Sequence, residues 1–269
     1  MGKGSSKAGG GAGGGGGGGV SQTTQAQQQQ NAIAQQPPTP QNTPVVAQAA
    51  NAIAQMDDNQ LAALMSQAKN ADLPNQLNDV SDITQKFVFT AGLNEKPAVL
   101  SDSDFKQYMK DNGMTSADII SRSVNGAQYQ NASGTWVKLS GQDVADMAMY
   151  SRLNYIGGKK GGQAMGAGTY FDHTHGRATG YGGTTMTAVL NPKTARSIDY
   201  VTLSQKARAF DASHPNFKRQ TGGYNTSYSG GRNNQAIYAL AMGYNVITEP
   251  GGGGYTNVID RSALVYNGG

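Results

Sequence analysis

The first 44 residues constrain the fold most, because they contain almost no large apolar side chains. Residues 11–19 are glycine with one alanine, and residues 25–40 are mainly Gln, Ala, Asn and Pro. A segment of this composition cannot bury enough surface to offset the entropy that ordering costs. We therefore expect residues 1–44 to form a disordered Gly/Gln/Pro-rich arm that includes a flexible tether.

The rest of the 269-residue chain divides near residue 80. Residues 47–70 are rich in Ala, Gln and Leu at near-helical spacing, which predicts one or two helices that pack on a partner. Pro74 and several Asn residues follow. We therefore expect a helical segment and linker over 45–80, and one domain over 81–269 that is long enough for a hydrophobic core.

Composition excludes several classes of function. The chain has no cysteine, which excludes disulfides, thiolate zinc sites and cysteine nucleophiles. No apolar run is long enough for a transmembrane segment, and no signal-peptide core follows the first lysines. After residue 150, twelve Lys or Arg residues face five acids, a net charge of +7. This balance favours an anionic ligand, a dinucleotide or a nucleic acid, although ordinary solvated side chains explain it equally well.

Local patterns alternate between strands and helices. We expect strands over 86–91, 119–124, 135–139, 184–190, 244–248, 255–259 and 263–266. Helices are expected over 102–111, with Ser101 as N-cap, and over 141–153 and 234–242. Short strands with a few helices predict an α+β fold with a mixed or antiparallel sheet and flanking helices.

Residues 166–183, GAGTYFDHTHGRATGYGG, carry the strongest indication of a site. Tyr170 and Tyr181 lie eleven residues apart in a glycine-rich setting. Two aromatic faces over such a cleft suit a flat heteroaromatic ring such as nicotinamide, because stacking favours planar partners. The alternative for both tyrosines is ordinary core packing.

Four sequence blocks resemble the ADP-ribosyltransferase fold, and more narrowly the ADP-ribosyltransferase-like domains of phage virion and head-associated proteins. The blocks are IISRSVNG, MGAGTYFDHTHGRATGYGG, TTMTAVLNPKTARSIDY, and NNQAIYALAMGYNVI followed by YTNVIDRSALVY. They span about residues 119–266 in the family's order. The resemblance implies an ADP-ribosyltransferase-like mixed or antiparallel β core.

The resemblance also implies site residues. Arg122 corresponds to the residue that orients NAD, Tyr170 lines the nicotinamide pocket, and Tyr181 stacks on the ring. The glycines Gly166 and Gly168 would let backbone amides approach the ligand, unless they are plain turn residues. The implied NAD-binding set is Arg122, Ser123, Gly166, Gly168, Tyr170, Phe171 and Tyr181.

One departure from the family concerns the catalytic acid. Transferases of this fold carry a glutamate near the start of a late strand, where it hydrogen-bonds the nicotinamide ribose. This chain has Gly254, Tyr255 and Thr256 there, and its only glutamates are Glu95 and Glu249. The resemblance therefore implies Glu249 as catalytic residue together with Arg122, or else a site without its usual acid.

These observations predict a phage-type NAD-dependent mono-ADP-ribosyltransferase, a glycosyltransferase that uses NAD as substrate and modifies a protein or nucleic-acid acceptor. The alternative is a catalytically inactive virion structural or interaction protein, whose arm docks on a capsid or other virion protein. A toxin or effector is a third possibility. The expected location is the virion or the host-cell cytoplasm.

Two further motifs give weaker indications of function. His173 and His175 are too few for a metal site, so we expect no metal. The start MGKGSS matches the N-myristoylation pattern at Gly2, but chance explains so short a match in a Gly/Ser-rich segment.

Overall fold

A computed structural model describes the C-terminal four-fifths of the chain with gaps. The described residues are 51–72, 83–93, 97–124, 128–130, 136–138, 165, 168–173, 184–227, 233–251 and 254–268. The predictions for the N-terminal arm and for a helix at 141–153 fall outside these ranges and stay predictions.

Six α-helices lie wholly within the described ranges. They are α1 (Asp58–Asn70), α2 (Ile83–Thr90), α3 (Asp102–Asp111), α4 (Tyr200–Ser213), α5 (Pro215–Thr221) and α6 (Gln235–Ala241). Residues 51–54 are also helical. The helices expected at 47–70, 102–111 and 234–242 are therefore confirmed, whereas α4 and α5 were not anticipated.

Ten strands accompany them. They are β1 (Ala98–Leu100), β2 (Ile120–Val124), β3 (Gln128–Gln130), β4 (Trp136–Lys138), β5 (Thr169–Asp172), β6 (Thr184–Leu190), β7 (Ser197–Asp199), β8 (Val246–Thr248), β9 (Tyr255–Val258) and β10 (Leu264–Asn267). Eight of them form one sheet in the order β1-β10-β6-β2-β5-β9-β8-β7, and β3 pairs with β4 separately. Because β1–β10 and β7–β8 are parallel and the other pairs antiparallel, the expected α+β class with a mixed sheet is confirmed.

The strand expected at 86–91 is wrong, because this segment belongs to helix α2. Its alternating Phe87 and Phe89 resemble a strand pattern. The structure instead buries the consecutive residues Phe87 and Val88, at 0% and 1% exposure. Neighbouring residues can share one side of a helix but point to opposite sides of a strand.

Helix α1 packs within the same core as the later helices. Asp57 caps it through a capping box. The Gln60 backbone amide donates to the Asp57 carboxylate, and the Asp57 backbone amide donates to the Gln60 side-chain oxygen. Leu61 and Met65 of α1 join one buried cluster with Leu203 of α4. Helix α1, within the segment over 45–80, thus packs into the same hydrophobic core as the following domain.

The two sides of the sheet differ in what they pack against. Ile247 and the partly buried Tyr170 belong to the cluster shared with the helices, which defines the helix-covered face. Ile120, Phe171 and Val258 belong to a second cluster on the opposite face. Since side chains alternate along a strand, Arg122 lies on the same side as Ile120.

Candidate functional site

Within the described residues, the two central strands of the eight-stranded sheet, β2 and β5, are paired through one residue pair. Strand β2 pairs with β6 through five residues, and β5 pairs with β9 through four. Among the described residues, β2 and β5 are paired only through Ser121 and Asp172. This short pairing separates the sheet into two four-stranded halves.

Arg122 lies at this division. Its Nη1 donates a hydrogen bond to the backbone carbonyl of Tyr170, 3.1 Å away on the other half of the sheet. A side chain therefore connects the halves where the ladder of backbone hydrogen bonds stops. This places Arg122 at the split between β2 and β5.

The guanidinium group of Arg122 is buried and incompletely paired. The residue is 7% exposed, and its Nε has no hydrogen-bond partner in the described structure. No carboxylate of the described residues forms an ion pair with it. Burial lowers the pKa of Arg122, and the nearby Tyr266 acts in the opposite direction. Burying a cation without a counter-charge is costly, so Arg122 is suited to receive an anion.

Tyr266 on β10 is a second under-paired polar group on the same face. It is 1% exposed, and its hydroxyl has no hydrogen-bond partner among the described residues. Its ring lies 5.9 Å from that of Phe171, centroid to centroid. Burial raises the pKa of Tyr266 to about 12, while Arg122 and Arg261 partly offset the effect. No sequence pattern singles out Tyr266, because its strand pattern is that of an ordinary core strand.

Tyr170 and Phe171 point to opposite sides of the sheet. The Tyr170 ring packs against the helix-covered core, and its hydroxyl accepts a hydrogen bond of 2.8 Å from the Met165 amide. Arg122 therefore contacts the backbone of Tyr170 but shares a face with Phe171. Phe171 and Tyr266 share the cluster on this face, and the Arg122 guanidinium lies near Tyr266.

Gly168 is closely covered by a neighbouring side chain. A Cβ built on Gly168 would collide with the amide oxygen of Asn257. The amide nitrogen of Asn257 in turn donates to the Met165 carbonyl at 3.1 Å. Because Gly168 has no side chain, the Asn257 side chain can pack directly against its backbone.

Glu249 lies against Gly254, across the turn between β8 and β9. Its amide donates to the Tyr255 carbonyl at 3.1 Å. A Cβ built on Gly254 would fall on the Glu249 carboxylate, so this carboxylate occupies the place of a side chain at position 254. Gly254 begins the stretch Gly254, Tyr255 and Thr256 in which the resemblance would lead one to expect an acid.

The distance between Arg122 and Gly254 along the sheet follows from the strand pairing. Ser121 pairs with Asp172, which pairs with Tyr255, so Arg122 and Gly254 lie two strands apart. Strand spacing and rise put their Cα atoms about 12 Å from each other. Between them, His173 Nε2 and Thr256 Oγ1 are 2.9 Å apart and share a hydrogen bond.

Three of the expected site residues are only partly described or lie outside the described residues. Gly166 and Tyr181 fall in the gaps of the described ranges. Ser123 pairs with Thr185 through its backbone, and its side chain is not described. Within the described ranges, no three His, Cys, Asp or Glu residues are grouped as a metal site would require. No helix of this part of the chain is long and apolar enough to cross a membrane.

Comparisons with protein-family models, curated proteins and solved structures found no match to this chain.

Proposed function

We propose that the protein is a phage-type NAD-dependent mono-ADP-ribosyltransferase that binds NAD at the split between β2 and β5. The observation that carries this proposal is Arg122, a buried cation with one hydrogen bond and no acidic partner among the described residues. The diphosphate of NAD has the charge that would compensate it.

The arrangement of the four sequence blocks supports the proposal. Their strands in the large sheet are β2 in the first block, β5 in the second, β6 and β7 in the third, and β8, β9 and β10 in the fourth. These seven are consecutive neighbours in the sheet order β10-β6-β2-β5-β9-β8-β7. Residues that the resemblance groups by sequence are therefore grouped in space around one division of the sheet.

Glu249 is the residue that we assign to the reacting end. Its carboxylate occupies the space over Gly254, about 12 Å along the sheet from Arg122, so one extended dinucleotide could reach both. There it would accept a hydrogen bond from the nicotinamide ribose and stabilise positive charge that develops on the ribose.

The proposed reaction is a displacement at the ribose carbon that bears nicotinamide. An electron pair of the acceptor nucleophile forms the new bond to that carbon. The carbon–nitrogen bond breaks, and nicotinamide leaves with its electron pair as a neutral molecule. The proton of the nucleophile passes to solvent.

A second candidate is a catalytically inactive virion structural or interaction protein that retains the fold. The packing of Tyr170 and Phe171 favours this reading, since the Tyr170 ring joins the helix-covered core and Phe171 is 1% exposed. The Phe171 ring then has no open face, and the Tyr170 ring is partly buried by the core.

The experiment that separates the two candidates is transfer of label from adenine-labelled NAD to bacterial lysate. Wild type is compared with Glu249→Gln and Arg122→Gln, and the labelled product is treated with protease or nuclease to find the acceptor class. We expect label with wild type and strong loss in both variants. Absence of label, with no thermal shift on adding NAD, would favour the inactive protein.

A further inference from the structure

His173 directly follows strand β5 and lies on the face of the sheet that carries Arg122. Its Nε2 shares a hydrogen bond of 2.9 Å with Oγ1 of Thr256 on β9. Thr256 pairs with Phe171, which belongs to the cluster on the face opposite the helices. Because paired residues point to the same side of a sheet, the His173 ring lies on that side as well. No step of the proposed transfer uses this side chain.

His173 also lies beside the position that the Glu249 carboxylate occupies. Asp172 pairs with Tyr255, and the same register one residue further places His173 opposite Gly254. Opposed residues of an antiparallel pair have Cβ atoms about 5 Å apart. Since the Glu249 carboxylate fills the place of a Cβ on Gly254, it lies about 5 Å from the His173 Cβ.

The two side chains do not pair with each other. Within the described ranges, no ion pair joins the His173 imidazole to the Glu249 carboxylate. The imidazole instead bonds to Thr256, which is fully buried. His173 itself is partly exposed, so its ring remains accessible to a ligand. A reacting group can therefore contact both the imidazole and the carboxylate.

The hydrogen bond to Thr256 determines what the other ring nitrogen of His173 can do. A neutral imidazole has one N–H group and one nitrogen that accepts a proton. If the Nε2–H group donates to the Thr256 hydroxyl, Nδ1 carries the free electron pair. Among the described residues, Nδ1 has no hydrogen-bond partner that would occupy this electron pair.

We propose that His173 is the general base of the transfer and removes the proton of a hydroxyl acceptor. The inference rests on the proposed function, in which Glu249 holds the nicotinamide ribose. A base about 5 Å from that carboxylate reaches a nucleophile that attacks the neighbouring ribose carbon.

The step is balanced as follows. An oxygen electron pair of the acceptor forms the new bond to the ribose carbon, and Nδ1 binds the hydroxyl proton. The carbon–nitrogen bond breaks, nicotinamide leaves with its electron pair, and the imidazolium later releases the proton to solvent. A carboxylate acceptor is already deprotonated at neutral pH and would need no base. A histidine at this place therefore favours a hydroxyl acceptor.

The test compares transfer of label from NAD to bacterial lysate with transfer to azide. Azide is an anion without a proton, so its attack on the ribose carbon needs no base. The variant His173→Gln can keep the hydrogen bond to Thr256 but cannot act as a base. It should lower labelling of the lysate at least about 100-fold and leave formation of ADP-ribosyl azide near the wild-type rate. Hydroxylamine should not release the label, because it cleaves esters of carboxylates and not links through hydroxyls.

The matched control is His214→Gln, which removes the same side chain at the junction of α4 and α5. It should react as wild type does in both assays. Equal loss of both reactions in His173→Gln would identify a structural role and overturn the proposal, as would undiminished labelling of the lysate. In either case the transferase itself stands. Wild type that labels neither lysate nor azide would overturn the transferase, and the general base with it.

Discussion

Arg122 donates a hydrogen bond from Nη1 to the backbone carbonyl of Tyr170 across the split between β2 and β5. Beyond the Ser121–Asp172 pair, this side chain takes over from the backbone ladder. A buried guanidinium with so few partners contributes little to stability in the free protein. We propose that a ligand completes its pairing.

Replacing Arg122 by methionine tests that explanation. Met fills similar volume without charge, so the lost hydrogen bond and the relieved burial cost should nearly cancel. We expect the free energy of unfolding without ligand to change by less than about 1 kcal/mol. The thermal shift on adding NAD should disappear. A loss of about 3 kcal/mol or more without NAD would instead identify a paired, structural arginine.

Tyr266→Phe removes a buried hydroxyl that has no partner in the described structure. Because an unsatisfied buried hydroxyl is unfavourable, the variant should be more stable than wild type by about 1 kcal/mol in denaturant unfolding. If the hydroxyl completes an anion site with Arg122, affinity for NAD should fall. A stable variant with unchanged NAD affinity would remove Tyr266 from the site.

Tyr238→Phe is the matched control for that variant. The Tyr238 hydroxyl donates to Asp211 and shares a hydrogen bond with Thr221 in a fully buried position. Its removal should destabilise the protein by about 1–2 kcal/mol and leave NAD affinity unchanged. The two substitutions are chemically identical and should have opposite effects on stability.

Gly254→Ala should displace the Glu249 carboxylate, since the added methyl would occupy its position. Gly254 does not have a positive φ, so the backbone accepts alanine. We expect label transfer to fall about as far as in Glu249→Gln, with the melting temperature little changed. The double variant should lose no more than either single one, because both act on one carboxylate. Additive losses would contradict a shared role.

The elements predicted correctly from the sequence are those that local residue patterns specify. Ser101 and the glycine after Asn112 mark helix α3, and alternation marks the strands β2 and β6. Helix α5 has a local sequence signal in Pro215 at its first position, where proline is favoured. Helix α2 is predicted as a strand because Phe87 and Phe89, two residues apart, fit the period of a strand, whereas the helix buries Phe87 and Val88.

The geometry of the candidate site depended on pairing between distant segments. Arg122 was recognised in its strand, but its relation to Tyr266 follows from β10 pairing with β6 and β6 with β2. Tyr170 was expected to share a cleft with Arg122. The single Ser121–Asp172 pair sets which residues of β2 and β5 face the same side, and no local pattern specifies that register.

Asp58 joins helix α1 to helix α5 and provides a test of how firmly the N-terminal helix is integrated. Its carboxylate accepts from the Asn216 and Phe217 amides, at 2.9 Å and 2.8 Å. These are among the first amides of α5, whose own N-cap residue, His214, supplies no side-chain hydrogen bond. Asp58 therefore caps a helix more than 150 residues away in sequence.

Asp58→Asn should lower the melting temperature at neutral pH, because a neutral amide oxygen caps less well than a carboxylate. Burial raises the pKa of Asp58, but the amides of Phe217 and Asn216 and the nearby His214 outweigh it and leave the pKa below 3.8. A lowered folded-state pKa means that the stabilisation is complete above pH 3.8 and is lost as the pH falls through the folded-state value. The melting-temperature difference between wild type and variant should thus be constant at neutral pH and shrink in acid. A difference that persists unchanged below that pKa would show that the carboxylate charge contributes nothing to the cap.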